Sequence, residues 1–224
     1  MVFDNCHNIW IENCYFENAS LNFINSQNIT VTHCDMLSSQ GSATSHAILF
    51  NQCNGVQLLN SYFKEPLGQS SLSDIVNSYK SQNVLFQNNY LTGGGPSSQG
   101  GGLIFDNFGR NQFMSDNICV DCGQYGLATS GGIGNTIVNN QAYSLSHPWS
   151  NVGFYAEGWA ARSLTLTNVI VANNTAGWTN KNGQSNGWWL GPNVYNISVT
   201  GNNFHASYTV PPVPSGIGSS FLQH

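Results

Sequence analysis

The chain has 224 residues, of which only 7% are charged, and its formal net charge is −5. Five Lys or Arg are too few to form the clusters that neutralise phosphate, which argues against nucleic acid as a partner. The same shortage argues against an anionic membrane surface, and no apolar run approaches the length of a membrane span.

A short phrase recurs eight times, in which a polar or small residue is followed by alternating apolar and polar residues. The phrases begin at Asn8, Asn28, Gly55, Asn83, Asn111, Gly134, Ser163 and Asn196. Alternation with period two is typical of a strand, and a repeat of this length is typical of a solenoid. A second apolar run precedes most phrases. We therefore predict an all-β chain, folded as a parallel β-helix of about eight coils with variable loops.

One position of the phrase should stack from coil to coil. It lies six residues after each phrase begins and is occupied by Cys14, Cys34, Ser61, Asn89, Asn117, Asn140, Val169 and Asn202. Asn amides can donate to and accept from the same residue in the coils above and below, so the position predicts a ladder. Cys14 and Cys34 should be neighbours, either as packed thiols or as a disulfide. Cys119 and Cys122 form a lone CxxC, which does not predict a zinc site.

The predicted domain organisation is a β-helix over residues 1–208 and a Pro/Gly/Ser-rich tail or linker over 209–224. The first repeat starts at once, without an amphipathic helix to cover the end of the core, and no segment resembles a signal peptide. We interpret the sequence as a module of a larger, secreted protein.

Acidic residues offer one catalytic hypothesis. Asp74 and Asp106 both flank the second apolar run in successive coils, so they are expected to lie near one another on one face. Arg110 or Lys80 could stand nearby as the cation. The alternative is a solvated edge, or a calcium ion that steadies a loop. The histidines share no metal-ligand spacing, and most of them are interpreted as turn or surface residues.

Aromatic residues offer a binding hypothesis, because five of the six tryptophans fall between residues 149 and 189. Flat rings among amides suit neutral sugars, whose C–H faces stack on aromatics while amides bind hydroxyls. The predicted stacking residues are Trp149, Tyr155, Trp159, Trp178 and one of Trp188 and Trp189, and the predicted hydroxyl partners are Asp106, Asn107 and Lys181. Alternatively, the tryptophans close the last coils, and one of Trp188 and Trp189 should be core in any strand. The loops 65–73, 92–101, 144–150 and 172–186 should emerge on one side and wall a groove.

The repeated Asn-Ile-x-Val phrases resemble the right-handed parallel β-helix proteins of the pectate-lyase-like superfamily. The polygalacturonase signatures NTD, DD, GHG and RIK are absent, and the chain is also similar to the β-helical carbohydrate-binding modules attached to xylanases. This resemblance implies a non-catalytic module that binds a neutral plant cell-wall polysaccharide, such as xylan or a related β-glycan. It would be accessory to a glycoside hydrolase domain in the same secreted chain, without a cofactor and with calcium as an optional structural ion. The alternative is a polysaccharide lyase or glycoside hydrolase acting on an acidic or plant polysaccharide.

Overall fold

The computed structural model describes residues 1–39, 45–70, 72–97, 100–159 and 162–220, and none of these lies in an α-helix. Within these ranges, 24 strands form three sheets in which every strand pair is parallel. The chain visits the first, second and third sheets in turn and then returns to the first, which confirms the predicted all-β solenoid.

The strands are given sheet by sheet, in coil order. The first sheet contains eight: β1 (Val2–Asp4), β4 (Leu21–Ile24), β7 (His46–Asn51), β10 (Asp74–Tyr79), β13 (Leu103–Asp106), β16 (Tyr125–Ser130), β20 (Val152–Glu157) and β23 (Trp188–Leu190). The second contains nine: β2 (His7–Glu12), β5 (Gln27–Thr32), β8 (Asn54–Leu59), β11 (Gln82–Gln87), β14 (Arg110–Ser115), β17 (Gly132–Ile133), β18 (Thr136–Val138), β21 (Leu166–Ala172) and β24 (Val194–Thr200). The third contains seven: β3 (Tyr15–Glu17), β6 (Asp35–Leu37), β9 (Tyr62–Lys64), β12 (Tyr90–Thr92), β15 (Ile118–Val120), β19 (Gln141–Ser144) and β22 (Thr175–Trp178).

The predicted asparagine ladder lies in the core at the turn between the second and third sheets. Side-chain amides donate from coil to coil over 2.9 Å from Asn89 to Asn117 and over 2.9 Å from Asn117 to Asn140. The ladder continues over 3.1 Å to Asn174 and over 2.9 Å to Asn202. Each amide thus satisfies buried polar groups in two neighbouring coils.

The seventh coil follows a different alignment from the predicted one. Its phrase begins at Asn168, which has a positive φ of 56° and accepts a hydrogen bond from Asn196, and not at Ser163. The ladder position is consequently Asn174, whereas Val169 packs in the core. The alternating run SLTLTN, residues 163–168, overlaps the start of β21 and imitates the phrase, which placed the prediction five residues too early.

The cysteines follow the packed-thiol interpretation. Cys14 and Cys34 are free, and their thiols donate to the carbonyl oxygens of Glu12 and Thr32, each over 3.2 Å. Cys119 and Cys122 are joined by a disulfide.

Residues 158–165 connect the first sheet to the second, and four further long connections lead from the third sheet to the first, on one side of the solenoid as predicted. They span residues 65–73, 93–102, 145–151 and 179–187, of which 71, 98 and 99 lie outside the described residues. The predicted loop over 172–186 is wrong in its bounds, because β22 occupies its centre. These connections are therefore placed to build walls beside the first sheet.

The C-terminal tail is irregular but packs along the third sheet. The backbone N–H groups of residues 218, 219 and 220 donate, in that order, to Asn60 O over 2.8 Å, to the Asp35 carboxylate over 3.0 Å and to Asn13 Oδ1 over 2.6 Å. The Ile217 side chain is 5% exposed and packs in an apolar cluster with Tyr90. The tail thus returns from the last coil to the first three coils, and its residues 221–224 lie outside the described part.

Candidate functional site

A groove of about 550 Å³ lies on the outer face of the first sheet. Strands β7, β10, β13, β16, β20 and β23 all contribute side chains to it. Three of those side chains are the carboxylates Asp74, Asp106 and Glu157. The outward positions of these strands are largely buried, because the surrounding connections cover the sheet. The groove therefore combines acidic groups with restricted access to water.

The parallel register aligns the groove residues in two rows. One row consists of Tyr79, Asp106, Ser130 and Glu157, and the neighbouring row consists of Asn77, Ile104, Ala128, Tyr155 and Trp189. Neighbouring strands are about 4.8 Å apart, so the Cα atoms of Asp106 and Glu157, two strands apart, are separated by about 10 Å. Ser130 occupies the position between these two carboxylates.

Asp74 lies at the start of β10 and is 4% exposed. Its Oδ1 accepts a short hydrogen bond from the Tyr125 hydroxyl, and its Oδ2 accepts one from Asn77 Nδ2 over 2.9 Å. Burial raises the pKa of Asp74 to about 6, although these hydrogen bonds favour the carboxylate and oppose the shift.

Asp106 and Glu157 are half-buried and electrostatically coupled. Burial, followed by the negative charge of Asp74, raises the pKa of Asp106 to about 6. Burial and the charge of Asp106 raise the pKa of Glu157 as well. Carboxyl groups that hold protons near neutral pH can serve as general acids.

His46 lies in strand β7 beside Asp74 and is an exception to the interpretation of most histidines as turn or surface residues. It pairs with Asp74 in the sheet register, and its Nδ1 lies 3.5 Å from Asp74 Oδ2. Burial lowers the pKa of His46 to about 4, so the imidazole is neutral at pH 7. Within the described ranges its Nδ1 has no hydrogen-bond partner.

Aromatic rings line the same groove. The ring centroids of Tyr155 and Trp189 are 6.0 Å apart, and Trp189 is 45% exposed. Tyr125 meets Tyr155 edge-on at 5.0 Å. The Arg162 guanidinium lies 4.1 Å from the centre of the Trp159 ring. The groove thus offers apolar faces beside its carboxylates.

The predicted site residues are only partly brought together. Asp74, Asp106, Tyr155, Trp159 and Trp189 all line the groove, so residues from the catalytic and the binding hypotheses share one site.

Two predicted stacking residues are directed into the core instead. Trp178 is 2% exposed in the main core, so its inclusion as a stacking residue is wrong. Trp188 stacks on Phe204 with centroids 5.3 Å apart, while Trp189 points outward. One member of the Trp188–Trp189 pair is therefore core, as strand alternation predicts.

The polar predictions need further corrections. Asn107 is 3% exposed and its Nδ2 donates to Asp106 Oδ1 over 2.9 Å, so its amide is engaged within the protein. Arg110 begins β14 in the second sheet, beyond the turn that follows Asp106, and does not line the groove. The Lys80 ammonium lies 5.0 Å from the Tyr79 ring and is also outside the groove lining. The cation in the groove is Arg162.

Sequence reasoning missed Tyr125, Glu157 and Arg162. A signal for Glu157 was present, because it ends the run VGFYAE at the same position at which Asp106 ends GGLIFD. Tyr125 opens the nearly continuous apolar run of β16, which favoured a core interpretation.

Trp149 and Lys181 line a second compartment of about 470 Å³ beside the groove. Gln124 and Asn151 line both spaces, so the compartment and the groove are adjacent. The predicted long loops form its walls through Pro96, Ser97, Pro148 and Ser150.

The described residues offer neither a preformed metal site nor a membrane-spanning helix. Across the described residues, no group of three or more His, Cys, Asp and Glu is arranged to hold a metal ion. Those residues also include no helix with the length and apolarity needed to cross a bilayer.

Comparison with known proteins identifies the family. The family described as the right handed beta helix region matches residues 21–204, which covers most of the chain. No curated protein and no solved structure matches the chain. The parallel three-sheet solenoid agrees with the family match. The chain therefore belongs to the family of right-handed β-helix regions.

Proposed function

We propose that the groove on the first sheet binds a plant polysaccharide with a neutral backbone and hydrolyses a glycosidic bond. The observation that carries the proposal is the row containing Asp106 and Glu157, two carboxyl groups with raised pKa values in an aromatic-lined groove. Hydrolysis of a glycosidic bond uses two carboxyl groups, one as general acid and one as base or nucleophile.

The roles follow from the surroundings of each carboxyl group. Asp106 is the general acid, because the charge of Asp74 helps it to retain a proton for the leaving oxygen. Glu157 is the general base that activates water. Their Cα atoms are about 10 Å apart, two strand spacings, which leaves room for a water molecule between the two side chains.

Asp74 acts through Asp106 rather than on the sugar. Its oxygens are occupied by Tyr125 and Asn77, and its side chain is buried beneath the groove. It is a positioning residue that adjusts the proton affinity of Asp106.

Aromatic stacking supports a neutral backbone. Trp189 and Tyr155 present rings to the groove, and Trp159 carries Arg162 over its face. Sugar C–H faces pack on such rings, whereas a uronate at this place would meet three carboxyl groups.

A second candidate is the non-catalytic binding module that the xylanase-like resemblance implies. The exposed Trp189 beside Tyr155 favours it, because rings and amides suffice for binding without chemistry. In that case the chain would serve a glycoside hydrolase domain of a secreted parent protein. Arg110 and Lys80 do not line the groove, which gives no support to the lyase version that relied on them.

Purified protein should be incubated with xylan, mannan, glucan and pectin, while reducing ends, ultraviolet absorbance and gel retardation are measured. We expect new reducing ends without an absorbing unsaturated end, and at least a 100-fold loss of rate in Glu157→Gln. Exposed Glu12→Gln is the matched control.

Gel retardation without any product would support the binding module instead of the hydrolase. In that case Trp189→Ala should weaken the retardation, whereas the exposed Trp10→Ala should not. Neither product nor retardation with any of the four polysaccharides would contradict both functions.

A further inference from the structure

The compartment beside the groove differs from the groove in charge. The groove is lined by three carboxylates and Arg162, whereas the compartment is lined by Lys181 and by no acidic residue among those described. An anionic group would therefore be repelled in the groove and attracted in the compartment.

Lys181 is carried by a turn with a dense hydrogen-bond network. Asn180 Oδ1 accepts from the backbone N–H groups of Asn182 over 2.9 Å and Gln184 over 3.0 Å. The turn is attached to the preceding coil, since Lys181 N donates to Ser150 O over 2.7 Å. The ammonium group consequently extends from a fixed backbone, and no described carboxylate forms an ion pair with it.

Trp149 supplies the apolar surface of the compartment. Its indole stacks on the His147 ring with centroids 5.2 Å apart and planes 8° apart. Asp121 holds His147 through a contact of 2.9 Å to Nε2. The indole is partly exposed and its position is determined by this stack.

Gln124 and Asn151 belong to both spaces and connect them. A sugar chain whose backbone occupies the groove can extend a neighbouring residue or branch past these amides. The compartment then offers one cation, one indole ring and several amide and hydroxyl groups to that residue.

We propose that this compartment is a specificity site for a uronic acid residue or branch of the same glycan, with Lys181 binding its carboxylate and Trp149 contacting its ring. The inference rests on the proposed function, because the neutral backbone is placed in the groove. It adds that the preferred polysaccharide is neutral at the reacting bond and acidic at an adjacent sugar.

The test compares affinities by calorimetry at pH 7 with an oligosaccharide of xylan carrying one glucuronic acid branch. The comparison ligands are its methyl ester, which has nearly the same shape without the charge, a sulfated oligomer and the unsubstituted oligomer. All proteins carry Asp106→Asn to prevent turnover. Lys181→Gln is the test variant, and Lys64→Gln, an exposed lysine outside both spaces, is the matched control.

We expect the acidic oligomer to bind about fivefold more tightly than its methyl ester, with the preference decreasing at high salt. Lys181→Gln should abolish the preference, whereas Lys64→Gln should retain it. Equal affinity for the acid and the ester, or a preference that survives Lys181→Gln, would overturn the specificity site and leave the groove proposal standing. Tighter binding of the sulfated oligomer would overturn the carboxylate assignment. Binding of no oligomer would contradict the specificity site and a xylan backbone in the groove.

Discussion

Replacing Asp74 by Asn removes the buried charge beneath the groove with little change in shape. The Tyr125 hydroxyl can still donate to Oδ1. Asn77, whose Oδ1 lacks a partner among the described residues, can rotate its amide to accept from the new Nδ2. The substitution therefore tests the charge while the hydrogen bonds are kept.

The expected effect is a pH-dependent gain in stability. Burial raises the pKa of Asp74 from 3.8 to about 6, so the folded protein holds this proton more tightly than the unfolded chain. The stabilisation by that proton is fully present below about pH 3.8 and is lost as the pH rises through about 6. A shift of about two pKa units corresponds to about 3 kcal/mol. His46 has the opposite effect on the pH dependence of stability. Its pKa is lowered to about 4, so the stabilisation by its neutral imidazole is lost as the pH falls. The informative quantity is therefore the difference in free energy of unfolding between the wild type and D74N, in which the contribution of His46 is common to both proteins.

Urea unfolding at pH 4 and at pH 7 measures this difference. We expect the free energies of unfolding of D74N and the wild type to diverge by about 2 kcal/mol between these two pH values, because part of the full effect appears only below pH 4, with D74N favoured at pH 7. The exposed Asp116→Asn serves as control and should show no such divergence. If the free energies of unfolding of D74N and the wild type differ by the same amount at pH 4 and pH 7, the buried Asp74 charge does not control the pH dependence of stability.

Three further predictions concern the proton donor, the ladder and the tail. Because the pKa of Asp106 is about 6, hydrolysis should decline above pH 6, and a flat pH–rate profile from pH 5 to 8 would contradict its role as general acid. Asn117→Leu leaves buried groups of neighbouring coils without partners and should lower the free energy of unfolding by about 3 kcal/mol or more in urea, whereas exposed Gln57→Leu should change it little. Ser219→Ala removes the hydroxyl that donates to buried Asp35 and should cost about 2 kcal/mol, measured in the same way; unchanged stability would mean that the tail contact does not stabilise the fold.

The scaffold was predictable because its coils repeat a local chemical requirement. Residues such as Asn83 and Asn111 adopt positive φ at equivalent bends, and each is followed six residues later by an amide of the ladder. Each requirement is visible within a few residues of sequence. The prediction was wrong at Ser163, which also adopts a positive φ but is followed six residues later by Val169 instead of an amide. Asn168 was the better choice because both the bend and the ladder amide, Asn174, follow from it.

The groove was harder to predict because it depends on register between coils. Asp106 and Glu157 are aligned only if every intervening turn length is known. Outward positions of the first sheet are also buried, so Tyr125 had the same sequence signature as a core residue. Trp178 gave the opposite error, since a tryptophan in a polar, Gly-rich segment looked like a surface platform and is a core residue. Register and coverage by loops are long-range properties, which a local pattern does not contain.

The packed tail alters how this solenoid should unfold. In a repeat array, each coil touches only its neighbours, and terminal coils can fray independently. Here, the hydrogen bonds from Ser219 to Asp35 and from Ser220 to Asn13 join residues 184 and 207 positions apart. They couple the last segment of the chain to the first coils and turn a linear array into a closed one. Loss of the first coils must therefore release the tail, so the two ends of the molecule should unfold as a single cooperative unit.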